Sequence, residues 1–263
     1  KAFTVCITDR SALLLSRKIG CYKLLSLLMR VYFHRNQLSL CTQLLRALHT
    51  ADMPLEREFP KSHLVAFHYY HGRFLMSSGK YQEALEQLRI ALCYTFSAAL
   101  EGSNVAQNNL CRIYRFYFAV HVACHPLQSP RLPAGSPQVF HELFPLIANG
   151  QVSKYRAALN VHFGWLAKHE LLVLFQKFDI ITIRNAVKRI HDSLEPPHSR
   201  TKLPLQLIYN MLNGTEIWPL GIDHLASHLS SLITMGAIRG YVSLSPPYLV
   251  LSGKEPFPAF KLL

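Results

Sequence analysis

The chain has 263 residues, half of them apolar, with 28 Lys and Arg against 15 Asp and Glu and a formal net charge of +13. That is enough for one or two domains with a sizeable core, and it excludes a disordered tail. No apolar run reaches the roughly 18 to 20 residues of a membrane span, and no signal-peptide pattern opens the chain, so no membrane association is expected. The charge is spread over both halves: 16 basic against 8 acidic residues in 1–150, and 12 against 7 in 151–263. A general positive field suits an anionic partner, nucleic acid or an acidic protein. Because the first residue is Lys1 rather than Met, further N-terminal sequence is expected.

The first elements are helix pairs. Cys21 to His34 carries Leu24, Leu25, Leu28, Val31 and Tyr32 at helical spacing. After the turn Arg35-Asn36-Gln37, Leu38 to Leu48 repeats the pattern with Cys41, Leu44, Leu45 and Leu48. A second pair follows, Ser62 to Met76 and Tyr81 to Cys93, joined at Ser78-Gly79-Lys80. The two pairs superpose with an offset of 43, which lays Asn36 on Gly79, Cys41 on Ala84, Leu45 on Leu88 and Leu48 on Ala91. Such an internal repeat predicts a solenoid in which each pair buries its stripe against the next. "HGRFLMSSGKYQEALEQLRIAL" also fits the tetratricopeptide spacing: Gly72 and Ala84 allow a close crossing, and Gly79 the turn. A third such turn is predicted at Asn149-Gly150-Gln151-Val152.

"HPLQSPRLPAGSPQ", His125 to Gln138, holds four prolines and is predicted as a connector. Helices then resume at Val139–Asn149, Val152–Leu166 and Leu171–Phe178. The predicted division is 1–178 for the helical repeats and 179–263 for a second subdomain. That subdomain opens on "DIITIRNAVKRIHDSL", where Ile183, Ala186, Val187 and Ile190 form an apolar stripe and Arg184, Lys188 and His191 another side. "EPPHSRTKLP" reads as a linker carrying Arg200 and Lys202. Leu205–Leu212 is a short helix. Ile222 to Ile233 is an amphipathic helix stopped by Gly236. In "LITMGAIRGYVSLSPPYLVLS" the period then changes to two, with Ile238, Val242 and Leu244 alternating against Arg239, Tyr241 and Ser243, and Pro246-Pro247 at the tip. Three helices and a two-stranded hairpin are the order of a winged helix. The expected fold is mainly α: a helical-repeat solenoid, then a C-terminal winged helix with a small β-hairpin.

No catalytic constellation emerges. Gly79-Lys80 lacks the Gly at 74 and the Ser or Thr at 81 that a phosphate loop needs; those positions are Phe74 and Tyr81. His121, Cys124 and His125, and His224 with His228, have spacings that could present a metal, but nothing completes either set, and surface or half-buried imidazoles are the better reading. No general acid–base pair stands out, so no enzyme activity, cofactor or metal is expected. The six cysteines form no C-x-x-C and read as buried free thiols of a reducing compartment. Asn213-Gly214-Thr215 matches a glycosylation sequon that an intracellular chain would not use. The candidate nucleic-acid contacts are Arg184, Lys188 and Arg189 on the first winged-helix helix, Arg200 and Lys202 in the linker, and Arg239 at the wing base, with Lys254 beyond; Lys and Arg at such places contact phosphate. The alternative for each is a solvated surface. Residues 1–50 are more lopsided still, with eight cations and the single acid Asp9. That stretch could dock an acidic partner, bind nucleic acid or meet absent sequence.

A helical array running into a winged helix resembles the PCI superfamily of the proteasome lid, the signalosome and an initiation factor. "RVYFHRNQLSLCTQLLRAL", "YYHGRFLMSSGKYQEAL", "LAKHE", "DIITIRNAVKRI" and "LITMGAIRGYVSLSPPYLVLS…PFP" are most similar to its Thp-type branch in the nuclear mRNA-export complex, and a signalosome-related paralogue shares much of the pattern. The resemblance implies a non-catalytic subunit, nuclear, at pores, and also cytoplasmic. It implies a large scaffold partner of the Sac/GANP type, a small acidic subunit shared with the proteasome lid that clasps the helices, and RNA or DNA on adjacent winged helices. Arg184, Lys188, Arg189 and Arg239 lie in the matching segments. Two departures stand out: the proline-rich stretch 125–138 lies where the family continues helix, and the family's N-terminal repeats are missing. The rival expectation is a purely protein-interacting subunit of a lid-like or signalosome-like assembly.

Overall fold

The computed structural model describes residues 1–12, 15–100, 102–128, 130–133, 136–194, 201–212 and 221–260. The chain is mainly α-helical and divides into two compact units, Lys1–Val120 and His121–Leu263. Among the described residues no helix is long and apolar enough to cross a membrane.

The first unit holds α1 (Ala2–Ile7), α2 (Cys21–His34), α3 (Ser39–Thr50), α4 (Lys61–Ser77), α5 (Tyr81–Leu100) and the start of α6 (Asn104–Cys124). Its helices form because their apolar residues recur every three or four positions and meet a neighbour's stripe. Tyr22, Leu25 and Met29 of α2 and Cys41, Leu45 and Leu48 of α3 are buried in one cluster with Phe59, Leu64 and Phe67. Tyr22 is packed edge-on to Phe59 at 4.6 Å between centroids and tilted against Phe67 at 4.9 Å.

The repeat register holds at the level of single hydrogen bonds. Asn36 and Gly79 both take the left-handed conformation, at φ 55° and 78°. The Gln37 amide donates to the Tyr32 carbonyl at 2.8 Å, and the Lys80 amide, 43 residues on, donates to the Leu75 carbonyl at 2.9 Å. Each is a left-handed C-terminal cap that satisfies a carbonyl the helix leaves orphaned. At the crossing of α4 and α5, a Cβ on Gly72 would lie 2.7 Å from Leu88 Cγ, so only hydrogen fits there. Ala84, Leu88 and Ala91 are fully buried on the facing side.

The second unit continues from the end of α6 with α7 (Gln138–Ala148), α8 (Val152–Val161), α9 (Phe163–Lys168) and α10 (Leu172–Ser193). The predicted third turn is present: Gly150 has φ 62° and the Gln151 amide donates to the Leu146 carbonyl at 2.9 Å. Phe140, Phe144, Phe175 and Phe178 are buried together and the first three rings stack nearly parallel. The described part of the 125–138 stretch is not helical before α7. Two predicted boundaries differ. The helix expected over Val152–Leu166 turns at His162 into two, and the two helices expected either side of Phe178 are one unbroken α10.

The winged helix is α10, β1 (Lys202–Pro204), α11 (Leu205–Leu212), α12 (Gly221–Thr234), β2 (Gly240–Leu244) and β3 (Pro247–Leu251). Its sheet has three antiparallel strands in the order β1-β3-β2, one more than the expected hairpin. The extra strand comes from the segment read as linker. It is three residues long, ends on a proline and has too few positions to show an alternation, yet Lys202 pairs with Val250 and Leu203 with Leu249. Gly236 caps α12 at φ 71°, as predicted. On the wing Ile238, Leu249 and Leu251 are buried, whereas Leu244, expected inward, is 70% exposed at the tip.

Candidate nucleic-acid interface

Of the six predicted contacts five lie in the described residues, and Arg184 does not share a surface with the other four. Arg184 is fully buried, and this removes it from any surface contact. Its guanidinium donates from Nη2 to the carbonyls of Phe257 at 2.9 Å and Pro258 at 3.1 Å, from Nε to that of Ala237 at 3.4 Å, and from Nη1 to Asn185 at 3.2 Å. The rings of Phe257 and Phe260 lie 5.4 and 5.5 Å from its Cζ. Burial pulls its pKa down to about 10, so it stays charged near neutrality. The physical reason for the miss is that α10 is buried nearly all round from Ile181 to Val187, so its polar positions do not mark a wet side. Arg184 ties the C-terminal segment and the α12–β2 turn to α10.

Further along α10, Lys188 is half-buried and Arg189 exposed. Arg189 spends one nitrogen on the Asn149 carbonyl at 2.5 Å. Lys202 is exposed at the start of the edge strand β1. Arg239 is exposed at the wing base and ion-paired with Glu255 at 2.7 Å. Arg200 lies outside the described residues, as does the sequon at 213–215.

The last helix before the wing is the one that enters a major groove in helix-turn-helix readers. Here that helix is α12, and its exposed residues are Asp223, His224, Ser227, Ser230, Ser231 and Thr234, without a Lys or Arg. Among the described residues the winged helix therefore exposes Lys202, Arg239 and the end of α10 as cations able to meet phosphate, and α12 exposes no arginine or lysine to read a base edge. Among the described residues no three His, Cys, Asp or Glu side chains come together to hold a metal ion. The six cysteines are unbridged; Cys21, Cys41 and Cys124 are buried, but Cys93 and Cys111 are exposed, against expectation.

A second basic feature lies within the first unit. A groove of about 240 Å³ runs between α2, α4 and α6, with Lys23, Arg30 and Arg112 on its lining. The sequence signal for it was partly visible in the cation-rich first fifty residues. Arg112, contributed from far along the chain, was not.

A mainly helical chain in which helix pairs precede a winged helix is the class these elements define. No family model matches the chain. It is similar over nearly its whole length to Protein CSN12 homolog of Schizosaccharomyces pombe, 30% identical over 264 residues that cover 98% of this chain and 59% of that protein. PCI domain-containing protein 2 of Danio rerio is 29% identical over 261 residues, 97% of this chain and 61% of its own. A PCI domain-containing protein 2 homolog of Dictyostelium discoideum is 24% identical over 263 residues, 100% of this chain and 59% of its own. The chain thus spans about three fifths of the length of these relatives. Together with the fold, the likeness supports a PCI-domain chain of the type those names describe.

Proposed function

We propose that this chain is the PCI-domain part of a non-catalytic subunit in a nuclear mRNA-export assembly, acting in the nucleus, at its pores and also in the cytoplasm. One observation carries the reading: the likeness to relatives named for the PCI domain or as CSN12 homologs runs through helix pairs and winged helix alike. The partners are a large scaffold subunit of the Sac/GANP type and a small acidic subunit shared with the proteasome lid. Binding is by surface burial and charge attraction, with no bond made or broken. The winged helix adds phosphate contacts from Lys188, Arg189, Lys202 and Arg239, without base reading. Full-length tagged protein recovered from cells is expected to bring down the large scaffold, the small acidic chain and RNA. Recovery of signalosome subunits alone would replace the export reading.

A protein-only role has one observation in its favour, the cation-free exposed face of α12. Charge reversal at Lys188, Lys202 and Arg239 separates the two. It is expected to leave the assembly intact and to flatten the salt dependence of RNA binding by about two in log–log slope, since each lost contact removes about 0.7 on a single strand. Unchanged affinity and slope would leave the winged helix as a protein-docking module.

A further inference from the structure

We propose that the groove between α2, α4 and α6 is a single-stranded nucleic-acid site, separate from the winged helix. In it one nucleotide is seated beside Tyr69 and Tyr70, and Lys23, Arg30 and Arg112 hold the phosphates.

The three lining helices set the chemistry. None of α2, α4 and α6 contains an Asp or Glu anywhere along its length. Lys23, Arg30 and Arg112 are exposed, and among the described residues none of them is ion-paired or hydrogen-bonded. Exposed cations of a folded chain are commonly interspersed with carboxylates. Three unpaired cations facing one concave surface, with no acid on any wall, leave a local positive potential that only an anion offsets. Lys23 and Arg30 are seven residues apart on α2, hence about 10 Å along its axis and two turns on the same side. That spacing suits successive charges along a strand rather than one isolated ion. The groove also takes in Ser62 in the first turn of α4, a helix end without an acidic side chain or a side-chain cap. That end adds a partial positive charge to the same wall.

The floor and its size choose between anions. Leu27, Val65, Ala66 and Ile113 give an aliphatic surface, and Tyr69 and Tyr70 add two rings in an edge-to-face pair 5.1 Å apart. Arg73 is buried against both rings, 5.4 and 5.5 Å from their centroids, which fixes them in place. At about 240 Å³ the groove is below the range of ordinary small-molecule pockets, about 300 to 1,000 Å³. One turn of a partner helix, about 10 Å across with its side chains and about 5.4 Å long, has a larger volume than the groove. A single flat base fits, with Asn109 and Ser62 as polar groups at its edges. Backbone-tracking cations beside aromatic rings are the elements of sequence-tolerant single-strand binding.

The test uses the full chain and a mixed-sequence RNA of about 15 nucleotides, long enough to span such a site. Charge reversal at Lys23, Arg30 and Arg112 together is expected to raise the dissociation constant at least about tenfold and flatten the salt slope by about two. Lys23→Gln, Arg30→Gln and Arg112→Gln together should give the same direction, so a folding defect of the reversed variant does not decide the result. The winged-helix variant Lys202→Glu with Arg239→Glu, measured in parallel, should keep the contribution of the groove. Unchanged affinity and slope in both groove variants overturn the proposal. So does equal binding of a free mononucleotide and the 15-mer, or binding of an acidic peptide such as polyglutamate with no binding of RNA.

Discussion

The turns at Gly79 and Gly150 have the same hand and the same closing hydrogen bond, and they differ in what stands beside them. A Cβ on Gly79 would meet nothing within 4 Å. A Cβ on Gly150 would fall 2.3 Å from the Ala186 nitrogen and 2.6 Å from its Cα. In the first unit the glycine serves the backbone dihedral alone. In the second it also lets a turn rest on α10, where the Asn185 amide donates to the Ile147 carbonyl and Arg189 to that of Asn149. The two turns share the path of the backbone and differ in what each meets among its neighbours. Charged residues divide the same way: Arg30 of α2 faces solvent unpaired, whereas Arg184 of α10 is enclosed.

The largest effect is expected where that enclosure is broken. Arg184→Ala leaves the carbonyls of Phe257, Pro258 and Ala237 without their donor and opens a cavity. Buried unsatisfied groups and a large-to-small change together cost about 3–5 kcal/mol, read as a lowered midpoint in urea. Arg184→Lys restores the charge but not the fork that reaches several carbonyls, and is expected to recover only part of the loss. Wild-type stability in the alanine variant would mean that the C-terminal segment is held by its rings alone. Gly150→Ala follows, at about 3 kcal/mol, because it adds a main-chain clash to a left-handed dihedral.

How far the sequence could be read follows from these sites. The helix pairs, the three left-handed turns and the winged-helix order were legible because helical periodicity and turn residues act locally. Strand β1 was not: its three residues are extended only because β3 accepts them as an edge. The candidate interface was legible as charge and not as surface. A stripe on α10 with arginine opposite implies one wet face, but between Ile181 and Val187 the helix has none, and that requires knowing what packs around it. Likewise Lys23 and Arg30 were visible as a cluster, while Arg112 joins them only after α6 folds beside α2 and α4.

A pH effect of intermediate size is expected in the first unit. Burial pushes the His71 pKa from 6.5 down to about 4, against a hydrogen bond with Gln87 that raises it; the His68 and His49 charges also lower it and Glu83 raises it. The folded state therefore holds fewer protons than the unfolded chain between about pH 4 and 6.5, so stability rises with pH across that window and is lost as pH falls through it. The contribution is on the order of 2 kcal/mol after allowing for partial solvent access. His71→Gln should flatten the stability curve over that window and leave it unchanged above about pH 7. An unaltered slope would assign the acid sensitivity to other groups.

The smallest effects come from the turn pair on which the repeat was built. Gly79→Ala forces a Cβ into the left-handed region in open space, which costs about 1–2 kcal/mol, clearly less than the same change at Gly150. Gly79→Asn should cost still less, because Asn tolerates that region and already occupies it at Asn36. The reverse change, Asn36→Gly, trades relief of dihedral strain against a more flexible unfolded chain, two terms of opposite sign below about 1 kcal/mol each, so a shift near zero is expected. Thermal unfolding of the four variants side by side gives the ordering Gly150→Ala, Gly79→Ala, Gly79→Asn, Asn36→Gly. Were Gly79→Ala as damaging as Gly150→Ala, the two turns would share more than their backbone, and a neighbour would have to press on Gly79 as α10 presses on Gly150.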